Sequence, residues 1–400
     1  MKVGILREGK IKSDNRVPLT PKQCRYLQAQ NRDLQIFVQP SQDRCFRDSE
    51  YENQGIPLTE NLEMCDLLLG VKEVPISMLL PNKTYLFFSH TIKKQPYNRE
   101  LLRSILQNKI RLIDYECLRD SSGQRIIGFG RWAGIVGGHN AILTWGLREG
   151  KFNLKPMHQC HDWAEAQTYY HNLPLSKIKL VVTGEGRVAN GATEVLDLMK
   201  IKRVSPQAFL EQNFNEPIYT QLTVKDMYRK KGEVAFDETH YYQHPEQYES
   251  IFAPYTHTAN IMLNGIYWDK RIPVFFTSQD MKREDFTIQV IADVTCDIAP
   301  DSSIPSTIRA SSIEEPIYGY DPVLETETKP FQSHCIDVMA VDNLPNELPR
   351  DASEDFGNQL ISKVWAELNQ TDSKMIYEAT IALDGDLNQP YEYLRDYVSN

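Results

Sequence analysis

The ends of three predicted strands in the first third of the chain carry side chains that can exchange protons or bind anions. These side chains are Lys72 and Glu73 after the apolar run 65–71, His90 and Lys93 after the run 84–88, and Glu116 after the run 110–113. Because parallel strands of an open α/β sheet place their carboxyl ends at one edge, we expect these groups to converge on one cleft. Each residue alone is also typical of a solvated charge or a helix cap, and their joint position favours acid–base chemistry.

A second pattern predicts a nucleotide site in the middle of the chain. Residues 177–191, KIKLVVTGEGRVANG, read as a buried strand, a tight turn and the first turn of a helix. Gly184 permits the turn, Gly186 lets a pyrophosphate approach the backbone, and Gly191 lets helix and strand pack closely. The spacing Gly-x-Gly-x-x-x-x-Gly differs from the commoner fingerprint, and a Gly-rich turn alone is often only a turn.

The acid that usually binds the adenosine ribose is missing after the next predicted strand. The chain has Lys202, Arg203 and then Ser205 at this point. Ser205 can accept a hydroxyl, or lie beneath a 2′-phosphate with Lys202 or Arg203 beside it. These residues therefore leave the choice between NAD and NADP open, with NAD as the expected cofactor and NADP as a possible one.

Composition narrows the class of protein. The 400 residues exceed what one core usually organises, and 41% apolar residues suffice for packed cores. A net charge of −10 without a basic stripe argues against nucleic acid, and a small-molecule substrate is the expected partner. We expect no membrane association, because no run of about twenty apolar residues occurs. The oligomeric state stays open.

Cysteine usage and the amino terminus indicate a cytoplasmic protein. The seven cysteines are dispersed without a Cys-x-x-Cys pair, which disfavours a disulfide framework. The first six residues, MKVGIL, read as a strand and lack the features of a secretory leader. Three potential metal ligands occur close together in residues 157–161, MHQCH, and no metal is expected there because a second ligand group is missing.

The strand and helix patterns predict an α/β fold with two Rossmann-like domains, parallel sheets flanked by helices, and a cleft between the domains. The first domain comprises residues 1–132 and 333–400, the second residues 133–332. Small residues from 126 to 138 lead into a helix and form the crossover. Residues 207–250 read as an irregular insertion, and residues 300–332 as a long return connection.

Several sequence blocks resemble one superfamily. The opening ILREGK with RVPLTP is similar to the amino-terminal signature of alanine dehydrogenase, the nicotinamide-binding transhydrogenase subunit and lysine-forming saccharopine dehydrogenase. The saccharopine dehydrogenase branch resembles this chain most, on the blocks LLLGVKEVP, FFSHTIKK, IDYECL, GQRIIGFG, LNGIYWD, IADVTCD and VDNLPNELPRDAS. The resemblance implies NAD(P)-dependent oxidative cleavage of saccharopine, or a similar secondary amine, to lysine and 2-oxoglutarate, and the reverse.

The resemblance also implies roles for individual residues. Lys72 matches the general base, His90 the general acid, and Glu73 and Glu116 match acids that tune them. Positions matching substrate-binding groups are Arg16, Lys93 and Phe129. Positions matching cofactor-binding groups are Arg125, Gly186, Arg187, Tyr267 and Asp293, beside the pattern-derived Gly184, Gly191 and Ser205.

The chain departs from the family pattern in its nucleotide region. A cysteine pair of the fungal members is replaced by Val188 and Gly265, the Gly-rich turn is one residue shorter, and the family's first-loop lysine falls on either Lys10 or Lys12. Two alternatives stay open, an alanine dehydrogenase-like enzyme and a non-catalytic nucleotide-binding subunit. Retention of both Lys72 and His90 disfavours the latter.

Overall fold

The chain was analysed as a computed structural model that describes residues 1–9, 14–232, 236–370 and 372–399. The ambiguous Lys10 and Lys12 lie outside these described residues. The chain divides into two compact units, the first Met1–Phe129 with Pro349–Asn400 and the second Gly130–Leu348.

The described strands are, in chain order, β1 (Lys2–Ile5), β2 (Gln35–Val38), β3 (Leu67–Leu69), β4 (Thr84–Phe87), β5 (Arg111–Asp114), β6 (Lys179–Thr183), β7 (Lys202–Arg203), β8 (Ile218–Leu222), β9 (Tyr228–Lys230), β10 (Tyr248–Ser250), β11 (Ile261–Asn264), β12 (Val290–Asp293), β13 (Ile317–Asp321), β14 (Thr326–Thr328), β15 (Ile336–Met339), β16 (Thr380–Leu383) and β17 (Asp386–Leu387). The described α-helices are α1 (Pro21–Gln30), α2 (Asp48–Glu52), α3 (Arg99–Gln107), α4 (Gly130–Glu149), α5 (Trp163–Thr168), α6 (Arg187–Leu198), α7 (Pro206–Glu211), α8 (Val224–Met227), α9 (Glu238–Gln243), α10 (Ala253–Thr256), α11 (Ser278–Met281), α12 (Pro349–Lys363), α13 (Trp365–Leu368), α14 (Lys374–Ala379) and α15 (Arg395–Ser399).

The first unit is built on a sheet with the strand order β17-β16-β5-β4-β3-β1-β2. Strands β1 to β5 run parallel, and β16 adds to β5 in the antiparallel sense. The inner strand β3 is buried along its whole length, as expected for a parallel strand covered on both faces. Helix α1 begins at Pro21, because Thr20 and Gln23 form a capping box and Pro21 takes the first helical position.

The second unit holds a sheet with the order β14-β13-β15-β12-β11-β6-β8-β7. Strand β6, from which the Gly-rich turn leaves, pairs in parallel with β11 on one side and β8 on the other. The interpretation of residues 207–250 as an irregular insertion is therefore wrong in part, since β8 is a buried inner strand. Its polar Thr220 and Gln221 concealed it, and both side chains are hydrogen-bonded within the unit.

Two further expectations about the carboxyl-terminal half are corrected. Residues 300–332, predicted to be only a connection, contain the β13–β14 hairpin, which extends the second sheet. The strand predicted near 336–341 was assigned to the first domain, but β15 pairs with β12 and belongs to the second unit. Cross-strand hydrogen bonding places it there, a property that its own apolar sequence does not reveal.

Helices α4 and α6 lie unusually close together because glycine occupies their contact. A Cβ atom at Gly134 would overlap the carbonyl oxygen of Val188, and one at Gly191 would overlap that of Arg131. Gly191 therefore permits close packing of α6 on α4, and not of α6 on its strand as the fingerprint predicts. The small residues before 138 do allow a helix to cross another element closely.

The predicted α/β class, with largely parallel sheets flanked by helices, is confirmed. Within the described ranges, no helix has the length and apolar character needed to cross a bilayer.

Candidate active site

Three neighbouring strand ends of the first sheet carry the predicted acid–base residues. Strands β3, β4 and β5 are in parallel register, with Leu69 opposite Leu86 and Leu86 opposite Ile113. Lys72 and Glu73 follow β3, His90 follows β4, and Glu116 lies in a short 3-10 turn after β5. These groups consequently share one edge of one sheet.

His90 is oriented by a carboxylate. Its Nδ1 lies 2.7 Å from Oε1 of Glu73, which is 9% exposed, and its ring stacks on Phe88 at a centroid distance of 6.3 Å. The backbone of His90 is left-handed, with φ of 53°, a conformation that costs a non-glycine residue energy and often occurs at functional sites. Nε2 makes no hydrogen bond within the part of the chain that the structure describes. The arrangement presents this nitrogen for proton transfer.

Lys72 is held through its backbone by Glu8, a residue that sequence reasoning missed. Oε1 and Oε2 of Glu8 accept the N–H groups of Val71 and Lys72 at 2.7 and 2.9 Å. Burial, together with the charge of the nearby Asp14, raises the pKa of Glu8 to about 8 despite the two N–H donors. The only sequence signal for Glu8 was its place in the charged loop after β1.

Glu116 lies between two cations. Its Oε1 is 3.8 Å from both Lys93 Nζ and Arg125 NH1. Its Oε2 is buried and, within the described residues, accepts no hydrogen bond. The Arg125 guanidinium lies 5.2 Å over the ring of Phe88. This is the same ring that stacks on His90. A buried acceptor beside two cations is suited to receive a donor from a polar ligand.

Arg16 is buried, at 3% exposed, and paired with a carboxylate of its own loop. Its Nε and NH2 donate to the two carboxylate oxygens of Asp14 at 2.9 and 2.5 Å. The guanidinium lies 4.2 Å over the Phe129 ring, which stacks on Phe356 at 4.4 Å. Asp14 and Phe356 were not predicted. Both fix the plane of a group that sequence reasoning assigned to substrate binding.

The Gly-rich turn of the second unit has the form expected for a pyrophosphate site. Gly184 has φ of +92°, and its N–H donates to the Leu222 carbonyl. Gly186 is the N-cap residue of α6, is exposed and has no heavy atom near the position of a Cβ. Arg187, the first residue of α6, is also exposed. Open backbone at the start of a twelve-residue helix fits an anion, so the residues present fit a dinucleotide.

Asp293, matched to the nucleotide site, is fully buried. Its carboxylate accepts hydrogen bonds from Asn264 and Thr307 and from both the backbone and the hydroxyl of Thr295. Burial raises its pKa against these donors. The network joins the ends of β11 and β12, whereas Tyr267 beyond β11 is 76% exposed.

Ser205 has a local role in the structure. Its hydroxyl accepts the Ala208 N–H and caps α7. It follows β7, which pairs with β8 and is separated by β8 from the Gly-rich strand β6.

Residues 157–161 do not gather ligands. His158 faces Glu347 at 3.8 Å, the Cys160 thiol donates to the Pro156 carbonyl, and His161 contacts Asp162. Across the described ranges, no group of three potential His, Cys, Asp or Glu ligands is found.

Comparison with known proteins agrees with this architecture. Residues 4–136 match the family "Alanine dehydrogenase/PNT, N-terminal domain". The chain is 31% identical to the alpha-aminoadipic semialdehyde synthase of Arabidopsis thaliana, over 98% of this chain but 41% of that protein. It is 26% identical to the saccharopine dehydrogenase [NAD(+), L-lysine-forming] of Schizosaccharomyces pombe, over 88% of this chain and 89% of that protein. A solved L-alanine dehydrogenase has the same fold, with a TM-score of 0.67 at 14% identity over 99% of this chain and all of that one.

The chain has an α/β fold, and relatives named as saccharopine dehydrogenases and aminoadipic semialdehyde synthases indicate an oxidoreductase. Residues 4–136 match the amino-terminal domain of the alanine dehydrogenase/PNT family, and the predicted resemblance of the chain to lysine-forming saccharopine dehydrogenase is confirmed. It spans less than half the length of the plant and mammalian synthases it matches.

Proposed function

We propose that the protein is an NAD(P)-dependent oxidoreductase acting on a CH–NH bond. Its substrate is saccharopine or a similar secondary amine, cleaved oxidatively to lysine and 2-oxoglutarate, and the reverse. The observation that carries this proposal is the shared sheet edge of β3, β4 and β5, where Lys72, His90 and Glu116 follow adjacent parallel strands. Relatives named as saccharopine dehydrogenases and aminoadipic semialdehyde synthases support it.

The reaction divides into steps that need proton transfer. A bound nicotinamide supplies the acceptor for the hydride that leaves carbon. A base removes the proton of the amine nitrogen, giving an imine; water then adds to the carbon, and cleavage of the C–N bond releases lysine and leaves a carbonyl. We assign base catalysis to Lys72 and acid catalysis to His90, since positioned proton transfer contributes roughly 10² to 10⁴ in rate.

The surrounding charges support these roles. Glu73 holds the His90 ring through Nδ1, and Glu116 lies 3.8 Å from Lys93 and Arg125. We assign the substrate carboxylates to Lys93 and Arg16, beside Phe129, because a guanidinium presents a planar fork that matches a carboxylate. Arg125 is assigned to contact the cofactor.

The second unit would hold the dinucleotide. Gly184 and Gly186 would admit the pyrophosphate at the start of α6, with Arg187 beside it. Asp293 would stabilise the strand ends beneath the nicotinamide, and Tyr267 would present an exposed ring. Gly191 would act through packing on α4.

The test is a pair of steady-state assays that follow reduced-nucleotide oxidation. One supplies 2-oxoglutarate with lysine, the other pyruvate with ammonia. We expect turnover in the first alone. Activity only with pyruvate and ammonia would reject the proposal in favour of an alanine dehydrogenase-like enzyme, and nucleotide binding without either activity would favour a non-catalytic subunit.

A variant pair localises the chemistry. Lys72→Met should lose turnover but still bind nucleotide, whereas Lys151→Met alters a surface lysine paired with Glu149 and should keep wild-type rates. Full turnover in Lys72→Met would remove the assigned base. The cytoplasmic location and the absence of nucleic-acid or membrane partners stay predictions, and the oligomeric state stays open.

A further inference from the structure

The strand beside the Gly-rich strand is not the next one along the chain. Strand β7 follows α6, yet β8 pairs with β6 over its full length, from Lys179 opposite Ile218 to Thr183 opposite Leu222. Strand β7 pairs only with β8, through Lys202 and Arg203. In dinucleotide-binding sheets the adenosine ribose lies at the carboxyl end of the strand that borders the Gly-rich strand. Of the two strands that border β6 here, β11 leads toward β12 and β15, whereas β8 lies on the side of β7, the strand that follows α6.

The end of β8 is attached directly to the Gly-rich turn. The Gly184 N–H donates to the Leu222 carbonyl at 2.8 Å. The Gln221 amide Nε2 donates to the Gly184 carbonyl at 3.0 Å and to Asn190 Oδ1 at 3.1 Å. Gln221 is 9% exposed, so these bonds are shielded from water. The positions after Leu222 are therefore held in a fixed relation to the pyrophosphate turn.

A cavity of about 130 Å³ opens at this junction. Its walls include Glu185 from the turn, Thr223 and Lys225 from the segment after β8, and Glu238. Lys225, Glu185 and Glu238 are exposed and, within the described residues, form no ion pair with one another or with other groups. Asp226 is already engaged, because its carboxylate accepts the Thr223 N–H and hydroxyl.

We propose that this cavity receives the 2′ side of the adenosine ribose, and that Lys225 and Glu185 discriminate between a 2′-phosphate and a 2′-hydroxyl. The ammonium of Lys225 attracts a phosphate dianion. The carboxylate of Glu185 repels that phosphate and accepts a hydrogen bond from a ribose hydroxyl. The inference rests on the proposed dinucleotide function and moves the specificity position from Ser205 to the end of β8.

Ser205 does not suit the assignment that the sequence suggested. Its hydroxyl caps α7, and β8 lies between its strand and β6. Lys202, three residues before it, is paired with Glu216 at 2.7 Å. These two residues provide matched controls.

The experiment titrates the full chain with NADH and with NADPH and follows nucleotide fluorescence, with 2′,5′-ADP and 5′-AMP as competitors for the adenosine half alone. Lys225→Ala should weaken NADPH and 2′,5′-ADP roughly fivefold relative to NADH and 5′-AMP, the size of one exposed charge interaction. Glu185→Gln should shift the same ratio in the opposite direction. Lys202→Ala and Ser205→Ala should leave it unchanged.

The outcomes are separable. If Ser205→Ala or Lys202→Ala changes the NADPH-to-NADH ratio while Lys225→Ala and Glu185→Gln do not, the inference is overturned and the dinucleotide function stands. If the wild-type chain binds neither NADH nor NADPH, both the proposed function and the inference about the ribose site are rejected. Circular dichroism of each variant verifies that the ratios compare folded proteins.

Discussion

His90 Nδ1 lies 2.7 Å from Glu73 Oε1, across the ends of two adjacent parallel strands. The contact leaves Nε2 as the ring nitrogen that can reach a substrate. An imidazole fixed by a carboxylate on one nitrogen and presented through the other is a common arrangement for a general acid or base.

His90→Gln should lower kcat by roughly 10² to 10⁴, because glutamine keeps polarity but cannot transfer a proton near neutral pH. The measurement is the steady-state rate with 2-oxoglutarate, lysine and reduced nucleotide. His161→Gln is the matched control, since that histidine is on the surface beside Asp162. Equal rates in His90→Gln and the control would exclude His90 from proton transfer.

Glu73→Gln should lower kcat less than His90→Gln does. The amide oxygen can still accept a hydrogen bond from Nδ1–H, whereas the charge that strengthens this hydrogen bond is lost. Glu73→Ala should be slower than Glu73→Gln, because it removes the orienting acceptor as well. If alanine and glutamine at this position give equal rates, Glu73 does not orient the ring.

Gly191→Ala and Gly134→Ala should each lower the free energy of unfolding of the second unit by about 1–3 kcal/mol, the usual cost of overpacking. The reason is that each added methyl group would overlap a backbone carbonyl of the facing helix. Urea unfolding gives the free energy. Gly186→Ala is the control, since no heavy atom lies near its Cβ position. It should keep stability close to wild type and weaken nucleotide binding, and stable Gly191→Ala protein would contradict the close approach of α4 and α6.

His139 should make the protein sensitive to acid. Its ring is buried between the Tyr170 hydroxyl and the Lys155 carbonyl, and burial lowers its pKa to about 4. The unfolded chain, with a histidine pKa near 6.5, binds the proton more readily, so stability is complete above about pH 6.5 and falls as the pH drops toward 4.

Unfolding free energies at pH 7.5 and 5 measure this effect. The wild type should lose about 2 kcal/mol more than His139→Gln, at about 1.4 kcal/mol per pKa unit. His171→Gln, which changes an exposed histidine, should keep the wild-type slope. A His139→Gln variant with that same slope would show that the ring does not stay neutral on folding.

Glu8 should act in the opposite direction. Its pKa is raised by burial to about 8, so the folded protein retains a proton that the unfolded chain releases near pH 4.5. The stability from this group is complete below about pH 4.5 and is lost as the pH rises through 8. Glu8→Gln should remove a few kcal/mol of this dependence, measured as unfolding free energy from pH 5 to 8.5. Exposed Glu60→Gln should not, and parallel curves for all three proteins would refute the buried proton.

Apolar runs carried most of the fold prediction. Strands β3, β4 and β6 lie where short Leu, Phe and Val runs predict them, because both faces of a parallel strand are buried. Thr20 followed by Pro21 is a common start of a helix, and α1 begins there. Once those strands were placed, the rule that parallel strands end at one edge brought Lys72, His90 and Glu116 together.

The features that the sequence did not predict have a common physical cause. They depend on hydrogen bonds between residues that are distant in the chain. Thr220 and Gln221 make β8 look like surface, although hydrogen bonds to Val204 and Gly184 satisfy them in the interior. Glu8 looks like a solvated charge, and only the folded sheet supplies the N–H groups of Val71 and Lys72 that it accepts. Partners distant in sequence leave no local pattern.

The antiparallel pairing of β16 with β5, at Thr380 opposite Ile113, has a consequence for synthesis on the ribosome. The described strands of the second unit, β6 to β15, are all translated after β5 and before β16. The second unit can therefore fold while the sheet of the first unit still lacks β16. At about 5–20 residues per second, the open edge of β5 is exposed for tens of seconds. Nascent chains halted before residue 380 should therefore be the form most prone to bind chaperones or aggregate.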